Sequence, residues 1–551
     1  MWPYTGSMAL AYAAFRLGLA VAFLGAVRLL WRRPRPAVAL AVVVAQYLIA
    51  TAAYLWPLGR SYGLEDATDR SFNLGMAARV AVGGSPFEHT QVGFASPEPL
   101  WNLVIAALAL FDPARVAAAL ALLSPLAVLA LGLGVYLGLR ADDSEADAWE
   151  RVLMVTAVLG LSSLSMSPRP PTPAFFLGNI LLKPQHGIAF GLVAVALGTW
   201  SRGGARAPWR FGLLLGALGW VFLLHWGYLL PCLALALLLA PREERAVRGA
   251  LVSGAVSVAL VVPYVGHLLA DYSPAQGHRA AAHMWNDERG LALAVPNWST
   301  LDLGPLLVLA VVGAVLLWRR GQARDRTLLA AWIATLAVVT ASLPAALLGI
   351  APEPDELHYF LRFVMALAAG ATLAAGARLA ERLLELRPGQ GALLALLACL
   401  PLSFPSYWDP PTMDRYFAMS RPPIRPKVLA YGLWVRDHTP ADAVFVAGRS
   451  AATWIPVLSG RRVLLNEAGE LLPRDLAARK EAERILLTSE DPVLVQATAR
   501  RWGVGYLAID EPFLQEYGVV QPWELARAPV CETVFINSAV RIVRIREAAP
   551  R

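Results

Sequence analysis

Three carboxylates stand within five positions, at Glu65, Asp66 and Asp69. At helical spacing Glu65, Asp69, Phe72 and Met76 share one face, while Asp66, Asp69 and Asn73 form a neighbouring stripe. Carboxylates this close repel one another, and at the rim of an apolar medium they also lose hydration. At least one should then hold its proton more tightly than usual, which suits a general base. The same spacing fits a solvated helix start whose acids favour the positive end of the dipole.

Composition sets the elements that must position these residues. Of 551 residues, 57% are hydrophobic and 16% charged, with mean hydropathy +0.51; soluble domains have about 45–50% and about 25%. The chain therefore reads as a polytopic α-helical membrane protein. Apolar runs of spanning length recur from Met8 to about Pro405 and then give way to mixed sequence, so a membrane domain over 1–405 and a further domain over 406–551 are expected. The net charge of +8 sits in short clusters between apolar runs, the pattern of membrane topology and not of a nucleic-acid partner. Two of the three cysteines, Cys232 and Cys399, fall in apolar segments and Cys531 stands alone, so no disulfide framework is expected.

The connections 28–35, 201–210, 241–248, 319–326 and 378–387 hold 17 Lys and Arg against 5 acids, which places them in the cytoplasm. Those at 58–98, 168–185, 271–303 and 351–362 hold 8 basic residues and 12 acids and face outside. An odd number of crossings must separate 58–98 from 201–210, yet four apolar segments lie between them. The segment 98–111 is too short for the roughly 20 residues of a spanning helix and is expected not to cross. About 12 crossings remain, with both termini outside and the acidic connection 140–151 on the cytoplasmic side. No histidine falls in an inner connection, and apart from Arg16 no charge stands near the middle of a span. The chemistry belongs at the outer face.

Within 61–111 stand Glu65-Asp66-Ala67, an amphipathic stretch closed by Gly83-Gly84, Pro86-Phe87, and then Ala95-Ser96-Pro97-Glu98-Pro99-Leu100-Trp101. This order resembles the first extracytoplasmic loop of the GT-C superfamily of membrane glycosyltransferases, which use polyprenyl-phosphate-linked sugars. It is most similar to bacterial arabinofuranosyl- and mannosyltransferase-like members, where Asp-Asp-Ala leads to Thr-Ser-Pro-Leu-Trp. Here the first acid is Glu65, Thr68 stands where an aromatic is usual, and Glu98 and Pro99 split Ser-Pro from Leu-Trp. Residue matches are confined to 64–101. The resemblance implies a GT-C-like bundle with interfacial helices in the loop 58–112, and a hexosyl or pentosyl transfer at the extracytoplasmic face of a bacterial inner membrane. It also implies a first-loop acid that deprotonates or orients the acceptor hydroxyl as the anomeric carbon parts from the lipid phosphate. Asp66, which directly precedes Ala67, is the first choice, followed by Glu65 and Asp69.

A departing lipid phosphate calls for cations and donors at the outer interface. The segment SPRPPTPAFFLGNILLKPQHG at 167–187 offers Arg169, Lys183, Gln185 and His186, and PEPDELHYFLRF at 352–363 offers His358 and Arg362 one helical turn apart. Lys183, His186, Arg362 and His358 are the expected phosphate ligands, although a snorkelling lysine and a helix-end arginine fit the same positions. The loop 271–303 holds His278, Arg279, His283, Trp285 and Asp287, and His225-Trp226-Gly227-Tyr228 reads as an outer turn between two short spans. His225, Arg279 and Trp285 are expected to line the acceptor cavity. His278 and His283 lack the i,i+4 spacing of a helical metal pair, so no metal ligand is assigned. A divalent metal on loop carboxylates, as in some superfamily members, stays open as a cofactor.

From about 413 the pattern turns to α/β. Helices are expected at 426–438, 472–486 and 492–502, and strands at 443–448, 463–467, 505–510 and through the final VFIN and VRIVRI. No nucleotide motif is present. The resemblance implies that this domain is extracytoplasmic and shapes acceptor access. The expected partners are a polyprenyl-phosphate sugar donor, an extracytoplasmic glycan, lipid or protein acceptor, and membrane lipid. The alternatives are a polytopic lipid or glycan transporter or flippase, which would need mid-depth charges or broken helices, and an inactive membrane scaffold whose soluble domain binds a partner.

Overall fold

The computed structural model describes residues 6–61, 68–93, 96, 98–162, 183–241, 246–271, 300–347, 354–408, 426–466 and 475–546. The apolar runs become helices α1 (Gly6–Arg32), α2 (Pro36–Ser61), α3 (Thr68–Ala81), α4 (Pro99–Leu108), α5 (Val116–Gly138), α6 (Glu145–Thr156), α7 (Pro184–Ser201), α8 (Pro208–Val221), α9 (Leu223–Leu239), α10 (Val247–Asp271), α11 (Thr300–Arg320), α12 (Ala323–Leu347), α13 (Pro354–Leu383) and α14 (Gln390–Trp408). Among the described residues, 113–138, 247–268 and 359–383 are long and apolar enough to cross a membrane. The protein is a membrane protein. Over 98–111, α4 spans only ten residues, a rise of about 15 Å against a hydrocarbon thickness of about 30 Å. The chain divides into two compact units, one of residues 1–54, 124–260 and 284–413, the other of 55–123, 261–283 and 414–551.

In the first unit α13 is the central helix, buried among α6, α11, α12 and α14. Continuing from α6 is a π-helical turn, Ala157–Leu161, closed by the Ser162 amide on the Ala157 carbonyl at 3.0 Å. Two small-residue patterns bring α5 and α7 together, Gly134 and Gly138 on one, Gly187 and Gly191 on the other. A Cβ on Gly134 would stand 2.5 Å from the Gly191 Cα, and one on Gly187 would stand 2.9 Å from the Ala127 carbonyl oxygen. The backbones touch, so only glycine fits. This crossing fixes where α7 begins.

The acidic connection 140–151 finds its counter-charges within the same unit. Asp147 pairs with Arg324 and, at 2.8 Å, with Arg151. Glu150 takes Arg320 at 2.7 Å, Arg324 at 2.9 Å and Arg378 at 3.4 Å, and Asp325 takes Arg320 at 3.1 Å. Arg202 donates to the carbonyls of Gly138 and Arg140. The connections that carry these residues therefore share one end of the helices. The acids of 140–151 belong with the arginine-rich connections because they neutralise them.

The second unit is built on a five-stranded sheet of order β2-β1-β3-β5-β4. Its strands are β1 (Val444–Ala447), β2 (Arg462–Val463), β3 (Tyr506–Asp510), β4 (Cys531–Ile536) and β5 (Val540–Ile545). The first three run parallel, and β5 and β4 are antiparallel additions. Val444, Val446, Leu507 and Ile509 are buried on one face, and Phe445, Ala447 and Ala508 on the other, as a two-sided parallel sheet requires. The covering helices are α15 (Pro426–His438), α16 (Arg449–Ser459), α17 (Leu476–Thr488), α18 (Pro492–Trp502) and α19 (Glu511–Glu516).

Three details differ from the sequence reading. The strand expected at 463–467 pairs only through Val463, because side chains claim the later carbonyls: Arg479 donates to Leu464 at 2.7 Å and Gln91 to Asn466 at 3.3 Å. The helices α16 and α19 were not anticipated. The loop 58–112, expected with the membrane domain, packs with the C-terminal residues instead. Helix α3 lies on α16, Arg79 donates to the Ala441 carbonyl at 2.7 Å, and residues 90–92 run beside β2, with Val92 N on Val463 O at 3.0 Å and Val463 N on Thr90 O at 2.8 Å. The loop thereby covers a sheet edge that would otherwise offer unpaired donors and acceptors.

Candidate active site

In the first unit, the start of α7 is preset by Pro184 at its first position, with Lys183 half-buried just before it. Within the first turn, Gln185 and His186 are fully buried. His225 meets them from α9. The sequence reading of 225–228 as a turn is corrected here, because the chain breaks three residues earlier. Phe222 adopts an extended conformation, and α9 starts at Leu223. Phe222 spends its ring on the cluster, with its centroid 4.3 Å from His186 and 4.5 Å from His225. That packing, which no glycine or proline announces, places the break.

The two imidazoles stand 5.3 Å apart at right angles. Phe190 lies 4.1 Å from His225, Phe360 lies 5.6 Å from it, and Tyr359 lies 6.2 Å from His186. On the same turn of α13, Arg362 is 1% exposed and donates to the Ser162 carbonyl at 3.1 Å. That carbonyl is presented at the end of the π-helical turn, a device frequent at functional sites. A buried guanidinium keeps its charge. Both ring nitrogens of His225 lack a hydrogen-bond partner among the described residues although the side chain is fully buried. The start of α7 therefore carries polar groups inside an aromatic wall, and the α13 turn that completes the wall also carries a buried cation. Such a set can hold an anion and donate to it.

Of the expected phosphate ligands, His186 packs beside His225 and Tyr359, and Arg362 stands on the same α13 turn as Tyr359. The side chain of His358 lies outside the described residues, as do Arg169, His278, Arg279, His283, Trp285 and Asp287. Glu65 and Asp66 lie outside them too. Asp69 falls in the first turn of α3, and its side chain is not among those described.

What the second unit shows is how α3 is held. Ser96 receives the Asn102 amide at 2.6 Å and reaches the Met76 sulfur at 3.4 Å, tying α3 to α4, while Pro99 opens α4. The Ser96 to Trp101 stretch thus anchors the helix that directly follows the carboxylates. His89 was not singled out in the sequence. It is buried, accepts from the Gln91 amide at 2.9 Å, and burial pulls its pKa down to about 4. Among the described residues no group of three His, Cys, Asp or Glu could hold a metal.

Among solved structures, that of the archaeal oligosaccharyltransferase AglB from Archaeoglobus fulgidus, in complex with an inhibitory peptide and a dolichol-phosphate, is similar with a TM-score of 0.50 and 15% identity, covering 86% of this chain and 69% of that one. The fold is similar to that of this oligosaccharyltransferase. ArnT from Cupriavidus metallidurans, bound to undecaprenyl phosphate, aligns over 92% of this chain and 99% of its own at 12% identity and a TM-score of 0.48. No protein-family model and no curated protein matches the chain. The likeness is one of fold, and the roles of the individual residues rest on their chemistry.

Proposed function

We propose that the chain is an integral-membrane glycosyltransferase that moves a sugar from a polyprenyl-phosphate donor to an acceptor hydroxyl at the extracytoplasmic face. The observation that carries this reading is the buried pair of His186 and His225, packed against the α13 turn that also carries the buried Arg362, in the fold of an enzyme determined with a dolichol-phosphate. In the proposed reaction the acceptor oxygen attacks the anomeric carbon, its proton passes to a first-loop carboxylate, and the bond from that carbon to the phosphate oxygen breaks. The lipid phosphate leaves as an anion. Asp66 is assigned the base, with Glu65 and Asp69 as its neighbours, and Arg362, His186 and Lys183 the leaving phosphate. A preorganised cation at the developing charge acts without reorganising at the moment of reaction. His358, Arg279 and Trp285 are assigned to the same donor and acceptor surfaces. The C-terminal domain is assigned to the extracytoplasmic side.

The test uses purified full-length protein in lipid with polyprenyl-phosphate sugars as donors. Asp66→Asn is expected to lower transfer about 10²–10⁴-fold while the unfolding midpoint stays put. Arg362→Gln is expected to weaken retention of polyprenyl phosphate. Full transfer by both Asp66→Asn and Glu65→Gln would remove the assigned base, and unchanged lipid-phosphate retention in Arg362→Gln would remove the assigned phosphate site.

A further inference from the structure

A second site lies within the first unit, at the end of the helices where the arginine-rich connections gather. A cavity of about 380 Å³ opens between the end of α7, α9 and the start of α12, lined by Arg202, Arg206 and Arg326 together with Trp200, Leu237 and Ala240. Its volume lies within the roughly 300–1,000 Å³ typical of ligand sites. Among the described residues, no carboxylate lines it.

The contrast with the neighbouring charges is informative. Arg320, Arg324 and Arg378 are matched by Asp147, Glu150 and Asp325. Among the described residues, Arg202 donates to the carbonyls of Gly138 and Arg140, both through one terminal nitrogen, at 2.7 and 2.8 Å. The rest of its fork is left for an oxyanion, in the two-pronged geometry that guanidinium offers to phosphate. Arg206 is exposed and has no partner among the described residues. Burial, with repulsion from Arg140 and Arg151, pulls the Arg202 pKa below its ordinary value. Trp200 is half-buried at this cavity, and Trp209 stands 68% exposed at the start of α8. Tryptophans at a helix end mark the headgroup level of a bilayer. Leu237 and Ala240 give the cavity an apolar wall continuous with α9.

We propose that this crevice binds the headgroup of an anionic phospholipid, with the phosphate on Arg202 and Arg206 and the first acyl carbons along Leu237 and Ala240. Basic pockets between membrane helices recognise lipids in this way. The site is separate from the proposed transfer chemistry and stands whether or not that reading holds.

The test is native mass spectrometry of the full chain from nanodiscs holding equal phosphatidylglycerol and phosphatidylcholine, read as the ratio of the two lipids retained. Phosphatidylglycerol is expected to be enriched. Arg206→Gln is expected to cut the enrichment about five-fold, the share of one surface arginine, and Arg206→Lys to keep most of it. Arg382→Gln, an exposed arginine in the last turn of α13, is expected to leave it unchanged, as a control. Melting in phosphatidylcholine alone checks that each variant is folded. Equal retention of the two lipids, or enrichment that survives both Arg202→Gln and Arg206→Gln, would overturn the proposal. So would displacement of the lipid by an equal concentration of glycerol phosphate, which would make the occupant a soluble anion.

Discussion

Burying a polar side chain without hydrogen bonds costs about 1–3 kcal/mol, and His225 is held that way between Phe190, Phe222 and Phe360. Structure alone gives no reason for an imidazole there. His225→Phe is therefore expected to leave the unfolding midpoint unchanged or to raise it, while transfer falls. A variant that melts lower and transfers normally would make His225 a packing residue. Two further residues bear on pH, both in the second unit. Burial holds His89 near pKa 4 and pushes Asp510 up to about 6. Between pH 6.5 and 4 the unfolded histidine binds a proton that the folded one refuses, so its contribution to stability is lost as pH falls through that window. Folded Asp510 keeps its proton up to about pH 6, whereas the unfolded carboxyl releases it near pH 3.8, so its contribution is lost as pH rises between those values. Over pH 4–6 the two slopes oppose each other. Asp510→Asn removes one of them, and that variant is expected to lose about 3 kcal/mol between pH 6.5 and 4, the order of His89's shift. Urea midpoints at several pH values would show it, and a flat profile would refute a neutral, buried His89.

At the scale of elements, the crossing of α5 and α7 decides where Lys183, Gln185 and His186 stand. Gly191→Val would wedge the two backbones apart. A cost of about 1–3 kcal/mol is expected from the overpacking, together with weaker lipid-phosphate retention, because α7 carries the site with it. Thermal unfolding and lipid retention on the same sample would test both. The ion cluster makes a different demand: Arg324→Met removes a partner from both Asp147 and Glu150, leaving Arg151 on the first and Arg320 and Arg378 on the second, and is expected to cost about 1–3 kcal/mol, whereas trimming the exposed Arg382 should cost almost nothing. Much of this scale could be read from local pattern. Gly83, with φ +95°, closes α3, Pro184 opens α7, and the helices at 426–438 and 492–502 follow from their periodicity and flanks. What could not be read was set by distant partners. Val463 ends its pairing where Arg479 and Gln91 take the next carbonyls, and α9 starts where the Phe222 ring finds two histidines. His225 was misread because its environment is assembled from α7, α9 and α13.

For the molecule as a whole, the join near residue 413 was visible as a change in composition, but the grouping of 55–123 with 414–551 was not. Nothing in the local text of residues 90–92 names β2 as their partner. It follows that residues 414–551 made alone should expose the β2 edge and the face of α16 that α3 covers. Such a fragment is expected to bind hydrophobic dyes and self-associate, and supplying 68–108 on a linker should suppress both. Size-exclusion chromatography with and without that segment is the measurement, and a monodisperse, dye-silent fragment would count against the pairing. The contact between Gln91 and Asn466 joins residues 375 apart in sequence. A ribosome adding roughly 5–20 residues per second needs on the order of 20–75 seconds between the two. For that interval the newborn loop lacks the strand it will lie against. A chain cut short before its final hundred residues never acquires that strand, so in an incomplete product the backbone of residues 90–92 keeps its donors and acceptors open to water or to another chain.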